Sequence, residues 1–420
     1  MPTHIKLLTF NLWGLKYVSH HREERLHSIA DRLANESSED DYDIVALQEV
    51  WCLADWEYID KVCETKYPYR RCFSSGMISG PGLAILSRFP IAETFIYRYP
   101  VNGRPSAFYR GDWYVGKSAA VTVLDVDQGK AKIAVVNSHM HAPYALTGDA
   151  AYSCHRAAQA WDLAQLAQRL TRQGLGVILV GDLNSRPSSL PYRILSNVGQ
   201  LRDSWKMLHG STDLDKVAHM SPEDQIKLAA TTCDSILNTW RASRAPTEAC
   251  RLDYALVGGN RLVPTDAGVV FTERIPNVGS YSDHFGYTAT FELMDVVKQS
   301  LQSVEIDHSA LLAVYDDLTE LLVGYLMTTS QWQRKWRMWH FVLSMVVFIA
   351  FIPIIIVVSY RAPWSSVIFY VIGSIVAVTG VIDGLLSFLF GRNEQRAIKE
   401  VLMQVNDKRV YENSLCKHTK

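Results

Sequence analysis

Two patterns of apolar and polar residues alternate over roughly the first 295 residues. Short runs rich in β-branched and apolar residues, bounded by turn formers, predict strands. Longer segments with helical spacing lie between these runs, so an α/β region is predicted, whereas residues 205–250 have no clear period and read as an insertion or loop. The strand-like runs are "IKLLTFNLW", "DIVALQEVW", "GLAILSRFP", "SAAVTVLDV", "KIAVVNSHM", "GVILVGDLN", "LDYALVGG" and "YTATFELM", and the helical segments are "HREERLHSIADRLANE" and "YSCHRAAQAWDLAQLAQRL".

The pattern changes towards the C-terminus. Residues 341–358 are uncharged and overwhelmingly apolar, and a second apolar run, 367–382, continues past Asp383 to Phe390. An apolar run of about 18 residues is typical of a membrane span. A short link joins the two runs, so a transmembrane helical hairpin is predicted rather than a buried soluble one. Asp383 marks a membrane boundary, a helix–helix contact or a functional site.

Basic residues and tryptophans flank this hairpin. Three bases precede it and three follow it, whereas its turn carries one: Arg334, Lys335 and Arg337; Arg392, Arg396 and Lys399; and Arg361. The positive-inside rule then predicts a cytosolic N-terminal region and tail. Because bases mixed with tryptophans are typical of the headgroup level, Arg334, Lys335 and Arg337 are predicted to bind membrane lipid, with anionic phospholipids as activators.

A helical seam lies between the two regions. Leu311, Tyr315, Leu318, Leu322 and Tyr325 follow an alternating four–three spacing. This seam can pack on the preceding domain, on the tail helix or on a second subunit, so a homodimer stays open.

Composition narrows the function classes. Lys and Arg (42) nearly balance Asp and Glu (43), so no global positive field exists to attract nucleic acid. The seven cysteines are odd in number and contain no C-x-x-C pair, which argues against a disulfide framework and a zinc site and favours thiols in a reducing compartment. The first ten residues, "MPTHIKLLTF", lack the pattern of a secretory signal, and none is expected.

The stretch "GDWYVGKS", residues 111–118, has the spelling of a nucleotide-binding phosphate loop. Such a loop follows a buried strand and opens a helix. Here turn formers precede Gly111, and a strand-like run follows Lys117. The sequence therefore predicts a loop that leads into a strand rather than a nucleotide site.

Polar residues follow several of the predicted strands. Each alone fits a cap or turn, but together they suit metal-assisted phosphodiester hydrolysis. Carboxylate and amide oxygens are hard ligands for Mg²⁺, which keeps several waters. An imidazole can take a proton from the attacking water, and a partner carboxylate can hold its tautomer. These residues are Asn11, Glu49, His139, His141, Asp182, Asn184, Asp253, Asp283 and His284.

This ordered set resembles the endonuclease/exonuclease/phosphatase superfamily, which implies a four-layered α/β sandwich. In more detail, the sequence from residue 5 to about 293, followed by the hairpin, is similar to the membrane-bound neutral sphingomyelinases and the fungal inositol phosphosphingolipid phospholipases C. The segments that carry this similarity are "FNLWGLKYVSHHREERL", "LQEVW", "GDWYVGKSA", "HMHAPY", "HRAAQAWDLAQ", "GDLNSRP" and "SDH". The implied domains are a catalytic phosphodiesterase domain, an amphipathic linker with a juxtamembrane segment, a transmembrane hairpin and a cytosolic tail, at residues 1–295, 296–338, 339–391 and 392–420.

The resemblance also implies roles for individual residues. Glu49 matches the principal ligand of Mg²⁺, for which Mn²⁺ is a substitute, and Asn11 matches the amide beside it. Asp283 matches an acid on the metal and water side of the site. His284 matches the general base, and Asp253 matches the acid that orients it.

Five further positions complete the implied site. Asp182 helps to place the nucleophilic water, Asn184 contacts the phosphate, and His139 stabilises the transition state. Lys117 and Asp112 match a pair that switches the site on, with the lysine able to approach the substrate phosphate.

The implied activity is phospholipase C-type cleavage of a membrane phosphosphingolipid to ceramide and a phosphorylated headgroup, at the endoplasmic reticulum or mitochondrial membrane. A nuclease on the same scaffold explains neither the balanced charge nor the hairpin. An inositol-polyphosphate phosphatase usually carries "W-C-D-R" where this chain has "ACRLDY". A non-catalytic membrane adaptor does not explain the complete acid, amide and histidine set. The sequence leaves the headgroup open.

Overall fold

The computed structural model describes residues 4–35, 40–294 and 307–418. The chain divides into two compact units, one formed by 1–102 with 111–314 and the other by 103–110 with 315–420. The predicted boundary between residues 295 and 296 lies outside the described residues, and the functional labels of the four predicted domains stay predictions.

Two six-stranded sheets form the frame of the first unit. In the first sheet the central pair is parallel and every other neighbouring pair is antiparallel. Numbered in chain order, its strands are β11 (Leu262–Val270), β14 (Gly286–Leu293), β1 (His4–Asn11), β2 (Ile44–Gln48), β4 (Ala84–Ser87) and β3 (Tyr69–Cys72), with β1 and β2 as the parallel pair.

The second sheet repeats this arrangement, with one parallel pair among antiparallel neighbours. Its strands are β5 (Ile91–Arg98), β6 (Ser118–Asp125), β7 (Lys132–Ser138), β8 (Gly176–Asp182), β10 (Asp253–Gly258) and β9 (Leu201–Asp203), with β7 and β8 as the parallel pair. The two-residue strands β12 (Arg274–Ile275) and β13 (Gly279–Ser280) pair separately.

The alternation of side chains along the strands produces the layers. On β1, Leu7 faces a core that apolar residues of both sheets share, whereas Leu8 faces helices α1 (Arg22–Ala34) and α2 (Leu53–Val62). The long helix α4 (Ser153–Arg172) packs against β8 of the second sheet. Helix, sheet, sheet and helix form the predicted four-layered sandwich, which is therefore confirmed.

Local predictions have mixed outcomes. Each strand-like run contains an observed strand, and the two helical segments are α1 and α4, but β3, β5, β9 and β11 were not predicted. Residues 205–250 are irregular apart from short helices, as expected: α6 (Ser204–His209), α7 (Leu214–Val217), α8 (Pro222–Ala229) and a 3₁₀ turn at Pro246–Glu248. The short helix α5 (Leu190–Arg193) follows β8. The stretch 111–118 forms the single turn α3 (Asp112–Val115) and leads directly into β6, which confirms a loop before a strand.

The second unit is helical. Two of its helices, α10 and α11, are apolar and long enough to cross a membrane, and they pack closely because Gly380 lies against Ser344 and Gly384 against Phe341. The helices of this region are α9 (His308–Tyr325), α10 (Gln331–Arg361), α11 (Ser365–Leu385) and α12 (Gly391–His418), with π-helical turns at Leu326–Ser330 and Leu386–Phe390.

Most seam residues of α9 that belong to this unit are buried within a single chain. Tyr315, Leu318 and Leu322 on α9 are buried, as are Ile398, Val401 and Val405 on α12. Tyr325 donates a hydrogen bond to Glu394 at 2.9 Å, and Arg409 pairs with Asp316 at 2.8 Å, so α12 lies beside α9. Of the three surfaces that the seam could pack on, the tail helix is one that it contacts.

Candidate active site

Strand order explains why the predicted residues meet. The parallel pair β1 and β2 places Asn11 and Glu49 at one edge of the first sheet, and the antiparallel strand β14 starts at that edge, just after His284. In the second sheet, Asp182 at the end of β8 lies opposite Asp253 at the start of β10. These strand ends bring widely separated parts of the chain into one cluster.

A histidine–aspartate pair forms one end of the cluster. The Nδ1 atom of His284 lies 2.8 Å from Oδ2 of Asp253, which is fully buried. The other ring nitrogen, Nε2, lies 3.8 Å from Oδ2 of Asp182. The second carboxylate oxygen of Asp253 has no hydrogen-bond partner among the described residues. This geometry holds the ring with Nε2 towards the cluster, as a general base requires.

Glu49 forms the other end. Its Oε1 accepts a hydrogen bond from the amide nitrogen of Asn11 at 3.2 Å, and its Oε2 accepts one from the indole of Trp51 at 3.3 Å. The Asn11 amide also donates to Asp182 at 3.1 Å, while its oxygen accepts from the Trp13 backbone at 3.0 Å. Asn11 therefore links the two acids through its nitrogen, and its role as a direct metal ligand stays a prediction.

His139 and Asn184 lie between the two ends. The Nε2 atom of His139 lies 4.0 Å from Glu49 and 3.5 Å from Asp182. The backbone of Asn184 donates to Asp182 at 2.9 Å, and its side-chain amide donates to the Met140 carbonyl at 3.1 Å. Both Glu49 (φ 60°) and Asn184 (φ 45°) occupy the left-handed region, a strained conformation that clusters at functional sites.

The predicted switch pair borders the same cluster. Lys117 lies 3.2 Å from Asp112 and donates to the Met140 carbonyl at 2.8 Å, so it shares that acceptor with Asn184. Asp112 also accepts from the Tyr144 hydroxyl at 2.5 Å. Both charged side chains are buried. Asp112 thus holds Lys117 next to Asn184, the residue predicted to contact the phosphate.

Burial and charge shift the titration of these groups. Burial, reinforced by the charge of Asp283, raises the pKa of Glu49 to about 7, and burial raises the pKa of Asp182 to about 6. Burial lowers the pKa of His139, so this ring is neutral. For His284, burial opposes the charged form, but the Cys233, Asp253 and Asp182 side chains outweigh it and raise the pKa well above its usual value.

Two arginines of this site were not predicted. Arg241, from the irregular region 205–250, pairs with Asp283 at 2.5 Å, so the predicted metal-side acid already has a cation beside it. Arg25 on α1 is completely buried and donates to the carbonyls of Leu12, Trp13 and Tyr281. An arginine on the apolar face of an amphipathic helix was the available sequence signal for Arg25, whereas nothing in the sequence pattern marks Arg241.

The predicted lipid-binding residues belong to the other unit. Arg337 is ion-paired with Asp383 on α11, and Arg334 donates to Gln395 on α12 at 3.0 Å. Lys335 is exposed. Of the alternatives for Asp383, the structure shows a helix–helix contact.

A comparison with protein-family models gives a match over residues 8–284 to the family described as endonuclease/exonuclease/phosphatase. The chain belongs to this family. The chain is similar to the inositol phosphosphingolipids phospholipases C of Saccharomyces cerevisiae, to which it is 49% identical over 96% of this chain and 90% of the relative, and of Schizosaccharomyces pombe, to which it is 34% identical over 98% of this chain and 95% of the relative. A relative in Rattus norvegicus, sphingomyelin phosphodiesterase 2, is 37% identical over 48% of this chain and 46% of its own length.

Solved structures agree on the fold. The crystal structure of the D. rerio protein TDP2 with a single-strand DNA product covers 69% of this chain and 99% of that chain, with a TM-score of 0.50 and 19% identity. At this identity the likeness concerns the fold alone.

The donor set of this family member fits a hard divalent cation. Glu49 is mostly buried, and burial with the charge of Asp283 disfavours its negative form, which a bound cation would relieve. Within the described ranges, no group of three or more His, Cys, Asp or Glu side chains is arranged to hold a metal. Mg²⁺ suits such a sparse set, because it is usually bound by one or two carboxylates and keeps several waters.

Proposed function

We propose that the protein is a phosphoric diester hydrolase that cleaves membrane phosphosphingolipids, with inositol phosphoceramide or sphingomyelin as substrate, in the manner of a phospholipase C. One observation carries the proposal: the His284–Asp253 pair and Glu49 share a cluster in which Asp182 and His139 bridge the two ends. The full-length relatives named as enzymes of this class support it.

The His284–Asp253 pair performs the proton transfer. Asp253 holds Nδ1–H, which leaves the lone pair of Nε2 to remove a proton from a water molecule as that water attacks phosphorus. Asp182 lies 3.8 Å from Nε2, a distance at which one water molecule beside the pair can contact both side chains. The P–O bond to ceramide breaks, the ceramide oxygen leaves and takes up a proton, and the headgroup keeps the phosphate.

Neutral and positive donors receive the charge that develops on the phosphate oxygens. Asn184 has an amide nitrogen, His139 has a neutral ring, and Lys117 contributes a full positive charge next to Asn184. Donors fixed before the reaction stabilise developing charge without reorganisation. Lys117 and Asn184 both donate to the Met140 carbonyl. When the substrate binds, before the reaction, they must exchange that carbonyl for phosphate oxygens, which is a local movement of two side chains.

Glu49, with Asn11 beside it and Asp283 on the water side, would hold the cation, which we propose to be Mg²⁺ with Mn²⁺ as a substitute. When bound, Mg²⁺ supplies positive charge that polarises the phosphate and favours the departing oxygen. His284 must lose its ring proton before it can act as a base, and a cation held by Glu49 would favour that loss. Arg241 shares Asp283 and thereby limits how strongly that acid binds a cation.

A membrane anchor fits a lipid substrate. We propose that α10 and α11 span the bilayer with the catalytic unit on the cytosolic side, in the endoplasmic reticulum or the mitochondrion. Anchoring an enzyme in the plane of its substrate raises their effective concentration. Exposed Lys335 is the best placed of the three bases to attract anionic phospholipid, since Arg337 is paired with Asp383.

The test uses the full chain in mixed micelles with Mg²⁺ and equal amounts of inositol phosphoceramide, sphingomyelin and lysophospholipid. Water-soluble products are identified by mass spectrometry. We expect a phosphorylated headgroup and ceramide from at least one sphingolipid, loss of both with a chelator, recovery with Mg²⁺ or Mn²⁺, and a higher rate with anionic phospholipid. In cells, the chain should stay with membranes after alkaline carbonate extraction.

Abasic DNA and an inositol polyphosphate are tested in parallel as the other substrate classes for this scaffold. Cleavage of DNA, or release of inorganic phosphate, without any sphingolipid product would contradict the proposal. Sphingolipid hydrolysis at an unchanged rate in the presence of chelator would contradict the proposed metal dependence but not the proposed substrate class.

A further inference from the structure

Acidic and basic side chains alternate in a row that starts at the metal-side acid of the cluster. Asp283 pairs with Arg241 at 2.5 Å, and the Nε atom of Arg241 lies 3.6 Å from Oδ1 of Asp234. Arg244 lies 3.3 Å from the same oxygen and pairs with Glu248 at 3.1 Å. The side chain of Asp283 is 6% exposed and that of Asp234 is 20% exposed, so Arg241 lies between a buried acid and a more accessible one.

Arg241 uses only part of its hydrogen-bonding capacity. A guanidinium has five N–H donors, but the buried Nε atom of Arg241 has no hydrogen-bond partner within the described residues. The buried Oδ1 atom of Asp234 accepts no hydrogen bond from them either. At 3.6 Å these two atoms are just too far apart for a hydrogen bond. Asp234 therefore offers Arg241 a second acid close to the one that it already holds.

The present position of Arg241 neutralises an acid that a cation would use. Burial, and then the charge of Asp283, raise the pKa of Glu49, so the two acids sense each other across the cluster. A guanidinium is always charged, and on Asp283 it offsets part of this repulsion. A divalent cation beside the same two acids would repel the guanidinium, because like charges close together raise the energy. Arg241 and the cation therefore compete for Asp283.

We propose that Arg241 is an exchangeable counter-cation, which pairs with Asp283 while the site holds no divalent cation and with Asp234 when it holds one. The exchange rests on the metal site of the proposed function and adds the residue that sets its affinity. Arg241 is a positioning residue, because it acts through Asp283 and not on the reacting atoms.

The backbone around Arg241 is held by bonds that do not involve the guanidinium. Its amide donates to the Asn238 carbonyl at 3.0 Å, and its carbonyl accepts from the Arg244 amide at 2.9 Å. The side chain of Asn238 donates to the Ser282 carbonyl at 2.8 Å, directly before Asp283. The segment therefore stays attached beside Asp283 whichever acid Arg241 holds, and the exchange needs only rotation of side-chain dihedral angles.

The exchange predicts opposite effects at its two ends. Arg241→Met removes the competitor from Asp283, so a divalent cation should bind about 10-fold more tightly, the lower end of what a hydrogen bond to a charged group contributes. Asp234→Asn removes the acid that receives Arg241, so the cation should bind about 10-fold more weakly on the same reasoning. Asparagine suits this position, since Asp234 has a φ of 54°, in the left-handed region that asparagine tolerates.

The experiment measures Mn²⁺ binding to the full chain in detergent micelles, from the electron paramagnetic resonance signal of free Mn²⁺, with Mg²⁺ as a competitor. Thermal unfolding of each chain is recorded in chelator and in excess Mg²⁺. We expect Arg241→Met to unfold at a lower temperature than the unmodified chain in chelator, because Asp283 has lost its cation, and to recover in Mg²⁺.

Arg186→Met is the matched control for the loss of one positive charge near the site. Arg186 is exposed and donates to the Glu248 carbonyl at 2.8 Å rather than to Asp283 or Asp234. Its replacement should leave the affinity for Mn²⁺ within about twofold, since exposed charges contribute little.

Equal affinities of Arg241→Met and the unmodified chain overturn the proposal and leave the proposed function intact. A tighter Arg241→Met with an unchanged Asp234→Asn also overturns it, because Arg241 would then be a fixed competitor that does not move to Asp234. Asp234→Asn keeps the test decisive if Arg241→Met does not fold. Absence of Mn²⁺ binding in every chain contradicts the metal site of the proposed function, and the exchange fails with it.

Discussion

Each unit of the molecule contains a cluster of buried charged side chains, and the two clusters differ in how completely their atoms are satisfied. In the second unit, one oxygen of Asp383 is paired with Arg337, and the other lies 2.7 Å from Nδ1 of His340. In the first unit, Oδ1 of Asp253 and Nδ1 of His139 have no hydrogen-bond partner in the part of the chain that the structure describes.

The difference separates a structural contact from a reactive site. A buried polar atom without a partner costs about 1 to 3 kcal/mol, so a protein keeps such atoms where a water, ion or ligand uses them. Both carboxylate oxygens of Asp383 already have partners, and this residue joins α10 to α11. The cluster around Glu49 and His284 contains buried polar atoms without partners among the described residues, together with strained backbone at Glu49 and Asn184. Unsatisfied buried atoms together with strained backbone therefore distinguish this cluster from the Asp383 contact.

The largest effect is expected from His284→Ala. Removal of the general base should lower the hydrolysis rate at least about 100-fold, the lower end of what positioned acid–base groups contribute. The change leaves the buried Asp253 carboxylate without its partner at a cost of about 1 to 3 kcal/mol, so the fold should persist with a lower unfolding temperature. Hydrolysis of sphingolipid and thermal unfolding are measured on the same preparation.

His27→Ala is the matched control, because His27 lies on α1 and stacks on Tyr58 away from the cluster. It should retain the full rate. A His284→Ala chain that hydrolyses at more than a tenth of the original rate would exclude that ring as the base, provided that both variants are folded at the assay temperature.

A smaller effect is expected from Lys117→Met. This change removes the positive charge near Asn184 and leaves Asp112 buried beside His141 and Tyr144. We expect the rate to fall about 10- to 100-fold, less than the roughly 100- to 1,000-fold found for a donor fixed on a developing oxyanion, because Lys117 is held by Asp112 and the Met140 carbonyl. The exposed residue Lys130 supplies the control Lys130→Met, which should change nothing. Equal rates in the two variants would assign Lys117 a purely structural role.

The predictable part of the fold consists of elements with a strong local pattern. Strands such as β1, β2 and β8 are buried along almost their whole length, so a short apolar run identifies them. Strand β11 was missed because Pro264 and a bulge beside it interrupt its pattern. The region 205–250 has no period because side chains hold it: Asn238 and Trp240 donate to the carbonyls of Ser282 and Ser280.

The predictable part of the site consists of residues at strand ends, where chain order and residue type suffice. Sequence placed Glu49, Asp253 and His284 together because each adjoins a strand of the sandwich. It could not place Arg241 on Asp283 or Cys233 beside His284, because both depend on how an irregular segment folds back over the strand ends. Such contacts are set by tertiary packing and leave no periodic trace in the sequence.

The smallest effect on catalysis is expected from Asp383→Asn, which should instead weaken the helical hairpin. The change leaves the Arg337 charge without its acid, at a cost between about 1 and 3 kcal/mol for a pair that is mostly but not fully buried. The rate on a water-soluble phosphodiester should stay within about twofold, because Asp383 belongs to the unit without the site. Loss of helical circular dichroism during titration with a denaturing detergent measures the stability, and Glu320→Gln, an exposed acid on α9, is the control.

Replacing both Asp383 and Arg337 with leucine should recover most of the stability, since apolar side chains of similar volume remove the unpaired charge. A large loss of rate with an unchanged detergent midpoint would mean that Asp383 acts in catalysis, and the contrast between a satisfied and an unsatisfied cluster would then fail.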